Sequence, residues 1–233
     1  AMPGDAGALT GAALATGAAT VVVAGGDGTF NEAANGFVGA AGAGQALGLV
    51  PLGTGNDFCK ALGIPADWRA ACARIAAGRL KSVDAGRCNG RVFVNGVGAG
   101  FDARVALEAS RVRWVRGAPV YLVALAKALL LRHATPGARI THDGGTLEGP
   151  VTLVVTMNGT HFGGVFPIAP DASIDDGLLE LRVAPALTRR GILRLLPHLL
   201  RGTHTTRPGI THLRTGRVRV EFDQPVVLQA DGE

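Results

Sequence analysis

The chain has 233 residues, of which 47% are hydrophobic, enough to bury a substantial core in one large domain or two smaller ones. Glycine is abundant at 35 residues and aromatics are scarce at 5%, so loops carry much of the architecture. A net charge of +5 favours anionic partners such as nucleotide phosphates or acidic lipid, while the lack of a lysine/arginine block with interleaved aromatics argues against nucleic acid.

In chain order, residues 6–17 are alanine-rich and fit a helix that leads into Val21-Val22-Val23-Ala24, a short β-branched strand. The turn AGGDGTFNE follows, with Thr29 and Glu32 at capping-box spacing, so the next helix is expected to start there with Phe30, Ala33, Ala34 and Phe37 inward. Residues 47–50 make a second strand, followed by PLGTGNDF, where Asn56 or Asp57 caps another helix that Gly63 and Pro65 stop. Residues 67–78 carry Trp68, Ala71, Cys72 and Ile75 at helical spacing. Helix and strand thus alternate over residues 1–83, the pattern of an α/β domain with a parallel sheet.

The texture changes near Lys81. Residues 82–86, 91–98, 138–142, 151–158, 178–183, 217–222 and 226–230 read as strands, and only 101–110, 119–133 and 188–201 as helices. A second, mainly antiparallel domain is therefore expected over residues 84–233. The three cysteines (Cys59, Cys72, Cys88) form no C-x-x-C and fit free thiols in a reducing cytosol. The longest apolar run, residues 118–131, is interrupted by Lys127 and is too short to span a bilayer. The six histidines, His133 among them, show no metal-ligand spacing.

Two glycine loops carry the first chemistry. Gly25–Thr29 and Gly53–Asp57 each follow a short strand and open a helix, so a parallel sheet brings both to its carboxyl edge, where free amides and the helix dipole favour phosphate. Neither is a Walker A loop, and GDGTFN lacks the third glycine of a dinucleotide fingerprint. Asp27 would repel phosphates unless a cation such as Mg²⁺ lay between. Carboxylates elsewhere (Asp57, Asp84, Asp175, Asp176, Asp231, Glu233) are of the kind phosphoryl transfer needs to hold metal and accept a proton. The stretch TRRGILRLLPHLLR, residues 188–201, is a basic amphipathic helix that either packs on the second domain or rests on an anionic membrane.

The segments GGDGTFNEAANGF, PLGTGNDFCKALGIP, FVNGVGAGFDA, MNGTHFGGVFPIAPDASIDDGLLEL and QADGE occur in this order, and with them the chain resembles the bacterial diacylglycerol-kinase-type lipid kinases from about Val21 to its last residue. The resemblance implies a phosphofructokinase-like α/β nucleotide domain, a β-sandwich-like second domain and an active site in the cleft. It implies ATP at Gly25, Gly26, Asp27, Gly28, Thr29 and Thr54 with Asn31 alongside, and a catalytic Mg²⁺ faced by Asp27, Asp57 and Asp84. A separate structural Mg²⁺ would be held by Asp176 with backbone carbonyls near Ser173 and Leu178. Asp231 or Glu233 would be the general base, with a slight preference for Asp231. The expected activity is transfer of the γ-phosphoryl group of ATP to a primary hydroxyl of a diacylglycerol- or sphingoid-type lipid. The expected place is the cytoplasm, at the inner membrane face. An NAD-kinase-like phosphotransferase shares GGDG, and a non-catalytic nucleotide- or lipid-binding module is the other alternative. Family members usually begin with a further strand and continue past DGE, so the chain reads either as one that binds ATP poorly or as a fragment of an active enzyme.

Overall fold

The structure, a computed structural model, describes residues 2, 4–112, 119–131 and 134–233. The first part opens with α1 (Asp5–Ala15), followed by β1 (Thr20–Gly25), α2 (Asp27–Ala40), β2 (Ala46–Pro51), α3 (Asp57–Ala61) and α4 (Trp68–Ala76). β1 and β2 pair in parallel, Val21 opposite Leu47 and Gly25 opposite Pro51, as a crossover through α2 requires. Phe30, Ala33 and Ala34 of α2 bury against Val23, Leu49 and Phe58, and the Phe30 and Phe58 rings stack with centroids 5.4 Å apart.

The capping box does not form. α2 begins at Asp27 behind Gly26 with no side-chain cap. The Glu32 carboxylate instead accepts the amides of Gly4 (3.0 Å) and Ala6 (3.2 Å), so it satisfies the start of α1. The two helices cross closely enough that a Cβ at Gly36 would lie 2.1 Å from the Gly7 carbonyl oxygen. Asn56, one of the two expected caps of α3, also does other work: it adopts φ 50° and bridges Gly53 by both its amide oxygen (3.0 Å) and nitrogen (2.8 Å).

The second part begins with a hairpin of β3 (Gly86–Cys88) and β4 (Arg91–Phe93), then β5 (Gly96–Gly100), α5 (Phe101–Arg111), α6 (Pro119–Leu131), β6 (Gly137–His142), β7 (Gly145–Met157), β8 (Leu179–Pro185), α7 (Arg189–Leu200), β9 (Thr211–Thr215), β10 (Val218–Phe222) and β11 (Leu228–Ala230). β7 organises this part. Its first half pairs β6, which pairs β10, while its second half lies between β5, followed by β11, and β8, followed by β9. The register shifts between Val151 and Leu153, where the strand passes from one set of partners to the other. All these pairings are antiparallel. The architecture is thus a parallel α/β layer followed by an antiparallel sheet part.

The strand expectations change at three places. Residues 82–85 join no strand; Asp84 instead donates its amide to Ile174. Residues 91–98 divide into β4 and β5 because Val94, Asn95 and Gly96 aim their amides at a carboxylate described below. β9 was not legible as a strand. The helix expected over 119–133 is α6, whose last two expected residues, including His133, lie outside the described residues. Among the described residues no helix is long and apolar enough to cross a membrane.

Candidate active site

The two glycine loops meet at the carboxyl edge of β1 and β2. Leu52 donates its amide to the Gly25 carbonyl (2.9 Å), and a Cβ at Gly53 would stand 2.4 Å from the Gly26 Cα, so only glycine lets these backbones touch. The Asp57 amide donates to Asp27 Oδ1 (2.7 Å), which ties the helix starts of α2 and α3 together. Burial pushes the Asp27 carboxyl above its ordinary value, the Asp57 charge adds to that, and the amides of Asp57, Phe58 and Asn56 oppose it.

Asp57 is buried and links the two parts of the molecule. It pairs with Lys60 (3.1 Å) and accepts the Gly164 amide (2.9 Å), while Lys60 Nζ donates to the Gly164 carbonyl (2.6 Å). Gly55 presents no side chain here: a Cβ would sit 2.7 Å from Asp27 Oδ2 and 3.6 Å from Asp57 Oδ2. Asp27 and Asp57 thus border one end of the same cavity with carboxylate oxygens, the hard donors that Mg²⁺ takes, and Asp57 is already paired with Lys60. Asp84 does not join them. Its Oδ2 accepts the Gly177 amide (2.7 Å), and among the described residues no three Asp, Glu, His or Cys side chains converge on a metal position.

The set expected for a second magnesium fits less well. Asp176 Oδ1 accepts the Leu178 amide (2.9 Å), its Oδ2 is taken by the Arg214 guanidinium, and the Ser173 hydroxyl donates to Asp175 (2.7 Å). The arginine already neutralises the carboxylate a cation would use.

The end of the chain enters this site from β11. Asp231 takes φ 50°, and its buried carboxylate accepts the amides of Val94 (2.8 Å), Asn95 (2.9 Å) and Gly96 (2.8 Å) and the side-chain amide of Asn31 (2.6 Å). Burial pushes Asp231 up and these four donors hold it down. Asn31 is wholly buried; it also donates to the Val92 carbonyl (3.0 Å) and accepts from Arg91 (3.0 Å). Glu233 is different. Its carboxylate is partly open, pairs with Arg91 and lies 2.7 Å from where a Cβ of Gly28 would be, directly against the glycine turn. Asp231 is thus saturated with donors, whereas Glu233 faces the phosphate loop. Arg91, Lys60 and Gly164 also belong to this constellation; Lys60 and Gly164 lie within the quoted segments, but no signal singled out any of the three.

A cavity of about 640 Å³ opens from these residues. Asp27, Gly28, Thr54, Asp57 and Glu233 line its polar end, and Phe101, Val105, Leu125, Phe166, Leu195 and Leu199 are among the apolar side chains beyond. α7, capped by the Thr188 hydroxyl on the Gly191 amide (3.1 Å), contributes one face to that cavity. Its other face exposes Arg189, Arg190, Leu193, Arg194, Leu200 and Arg201, and no acidic residue lies in the helix. The histidines build no metal centre among the described residues; buried His204 donates from Nε2 to the Ile168 carbonyl (2.9 Å), and burial lowers its basicity.

The family model of the diacylglycerol kinase catalytic domain matches residues 1–88, and that of the YegS C-terminal NAD kinase beta sandwich-like domain matches residues 95–233. A diacylglycerol kinase of Bacillus subtilis is 31% identical over 91% of this chain and 70% of its own length. One of Mycobacterium tuberculosis is 32% identical over 98% of this chain and 75% of its own. Among solved structures, a diacylglycerol kinase of Bacillus anthracis superposes with a TM-score of 0.77 at 25% identity, covering 99% of this chain and 75% of that one.

Proposed function

Because the chain belongs to the diacylglycerol kinase-type lipid kinases, we propose that it transfers the γ-phosphoryl group of ATP to a primary hydroxyl of a diacylglycerol- or sphingoid-type lipid. The observation that carries this reading is the Glu233 carboxylate resting against Gly28 of the phosphate loop, at the point where the apolar cavity begins.

In this reading residues 1–83 hold the nucleotide and residues 84–233 the lipid. The amides of Gly28 and Thr29 at the start of α2, with Gly25, Gly26 and Thr54 beside them, receive the phosphates, while buried Asn31 holds Asp231 from behind the loop. Asp27, with Asp57 beside it, would hold Mg²⁺, which would supply charge neutralisation to the phosphates. The lipid's acyl portion lies among the leucines and phenylalanines of the cavity, which brings its hydroxyl to the polar end. The hydroxyl oxygen forms a bond to the γ-phosphorus as the bond to the bridging oxygen of ADP breaks, and its proton passes to Glu233. Arg91 keeps that carboxylate aimed at the loop. Asp231, with four donors on its two oxygens, anchors the strand from which Glu233 projects rather than accepting the proton. The arginine-bearing face of α7 rests on an anionic membrane, at the inner face of the cell membrane where ATP is available.

The test uses radiolabelled ATP, Mg²⁺ and a panel of lipids with NAD included. Label in a lipid phosphate, lost in Glu233→Gln, supports the reading. Label in NADP, or in no lipid, overturns it.

A further inference from the structure

A proton acceptor beside the phosphate loop creates an electrostatic conflict. To take the lipid hydroxyl's proton, Glu233 must lie within hydrogen-bond reach of the oxygen that attacks the γ-phosphorus, which sets its carboxylate close to the phosphoryl oxygens. Two anions at such range repel unless a cation stands between them. Lys60 is committed elsewhere, to Asp57 (3.1 Å) and the Gly164 carbonyl (2.6 Å). Among the described residues, the cation in contact with Glu233 is Arg91.

Arg91 is held firmly in that place. It opens β4 directly after Asn89 and Gly90, whose φ angles of 48° and 87° make the left-handed turn of a two-residue hairpin, with Cys88 opposite Arg91. Its Nη2 donates to Asn31 Oδ1 (3.0 Å) and to the Glu233 carboxylate. Asn31 is a fixed support, since its own amide nitrogen donates to the Val92 carbonyl (3.0 Å) and to Asp231 (2.6 Å). Nη2 thereby uses both of its N–H groups, while Nη1 and Nε have no hydrogen-bond partner among the described residues. The Arg91 side chain is 47% exposed and that of Glu233 39%, so the pair adds little to stability and the arginine stays open to a ligand. An anchored guanidinium with uncommitted donors, next to the carboxylate that rests against Gly28, fits a phosphoryl oxygen.

We propose that Arg91 is a catalytic residue that binds the γ-phosphoryl group of ATP: Nη2 keeps Asn31 and Glu233, and Nη1 donates to a non-bridging γ-oxygen. This role rests on the lipid-kinase reading of the same site and adds to it a contact with the group that is transferred. The hydroxyl oxygen bonds to the γ-phosphorus as the bond to the bridging oxygen of ADP breaks. The proton goes to Glu233, and the guanidinium remains on the phosphoryl oxygens throughout. One cation thus lets the proton acceptor and the phosphoryl group approach each other. ADP, which lacks the γ-phosphoryl group, does not reach it.

The experiment measures binding of the β,γ-imido analogue of ATP and of ADP, each with Mg²⁺ and without lipid. It uses the whole chain, Arg91→Met and Arg91→Lys, and lipid-phosphate formation from ATP is followed beside it. The unaltered chain favours the ATP analogue over ADP. In Arg91→Met that preference falls by about tenfold while ADP affinity changes by less than about twofold, since one charge-assisted hydrogen bond is lost. Its kcat falls by about 10²-fold or more. Arg91→Lys, which keeps the charge, recovers part of the preference; if circular dichroism shows Arg91→Met unfolded, the lysine variant carries the test with a smaller loss expected. An ATP-to-ADP preference that is unchanged, with kcat lowered, assigns Arg91 to aiming Glu233 alone and overturns the contact, leaving the lipid-kinase reading standing. An unaltered chain that binds neither nucleotide and labels no lipid overturns both.

Discussion

At the scale of single residues, the terminal motif holds two carboxylates with opposite environments, and substitutions should separate them. Glu233→Gln is expected to lower kcat by about 10²-fold or more while the thermal midpoint stays close to that of the unaltered chain, because the side chain is partly open. Asp231→Asn places an amide nitrogen among four N–H donors and is expected to cost about 1–3 kcal/mol, read as a lower midpoint by thermal denaturation. Asp102 makes a pH prediction. Its carboxyl is raised from its ordinary 3.8 to about 6 by burial, so the folded chain binds more protons than the unfolded chain between those values. The stability this contributes is fully present below 3.8 and is lost as pH rises through about 6, a decline on the order of 3 kcal/mol. Urea denaturation at several pH values should show that decline reduced in Asp102→Asn; an identical profile would refute the assignment.

At the scale of elements, α7 lines the cavity with one face and exposes arginines on the other, and the sequence pattern allowed both packing, the favoured role, and membrane docking. The leucines that line the cavity and the arginines that face outward alternate at helical spacing, and Pro197 does not end the helix. If the outer face docks on acidic lipid, Arg190→Glu with Arg194→Glu should abolish most co-sedimentation with phosphatidylglycerol vesicles, since each basic residue near such a surface contributes about 1 kcal/mol. Undiminished sedimentation would refute the docking face. The helices and strands of the first part were legible because their apolar periods are clean and their loops carry glycine. The capping box was not, since spacing alone cannot tell whether Glu32 turns back to its own helix or across to α1. Nor could strand propensity reveal the break between β4 and β5, which exists because three amides serve Asp231 from the far end of the chain.

At the scale of the whole molecule, the glycine loops, both aspartates and the DGE ending could be named from the sequence, but the contacts that join them could not. Arg91 lies in none of the shared segments, and Lys60 and Gly164 lie in them with no role that the sequence marked; their roles come from where the second part closes on the first. Lys60→Met should remove one strap of that closure and strand a buried carboxylate at Asp57, giving a higher KM for ATP and faster proteolysis around Gly163 and Gly164. The hydrogen bond between Asn31 and Asp231 spans 200 positions of the chain. Closing so long a loop is slow on the scale of local pairing, and the entropy it costs is recovered only when both parts are already shaped. In refolding, helix and sheet signals should therefore recover before transferase activity does, the lag shortening in any variant that brings residues 31 and 231 together sooner. The candidate reacting groups of this kinase are assembled from contacts between distant parts of the chain, so competence is expected to be the last property the molecule acquires as it folds.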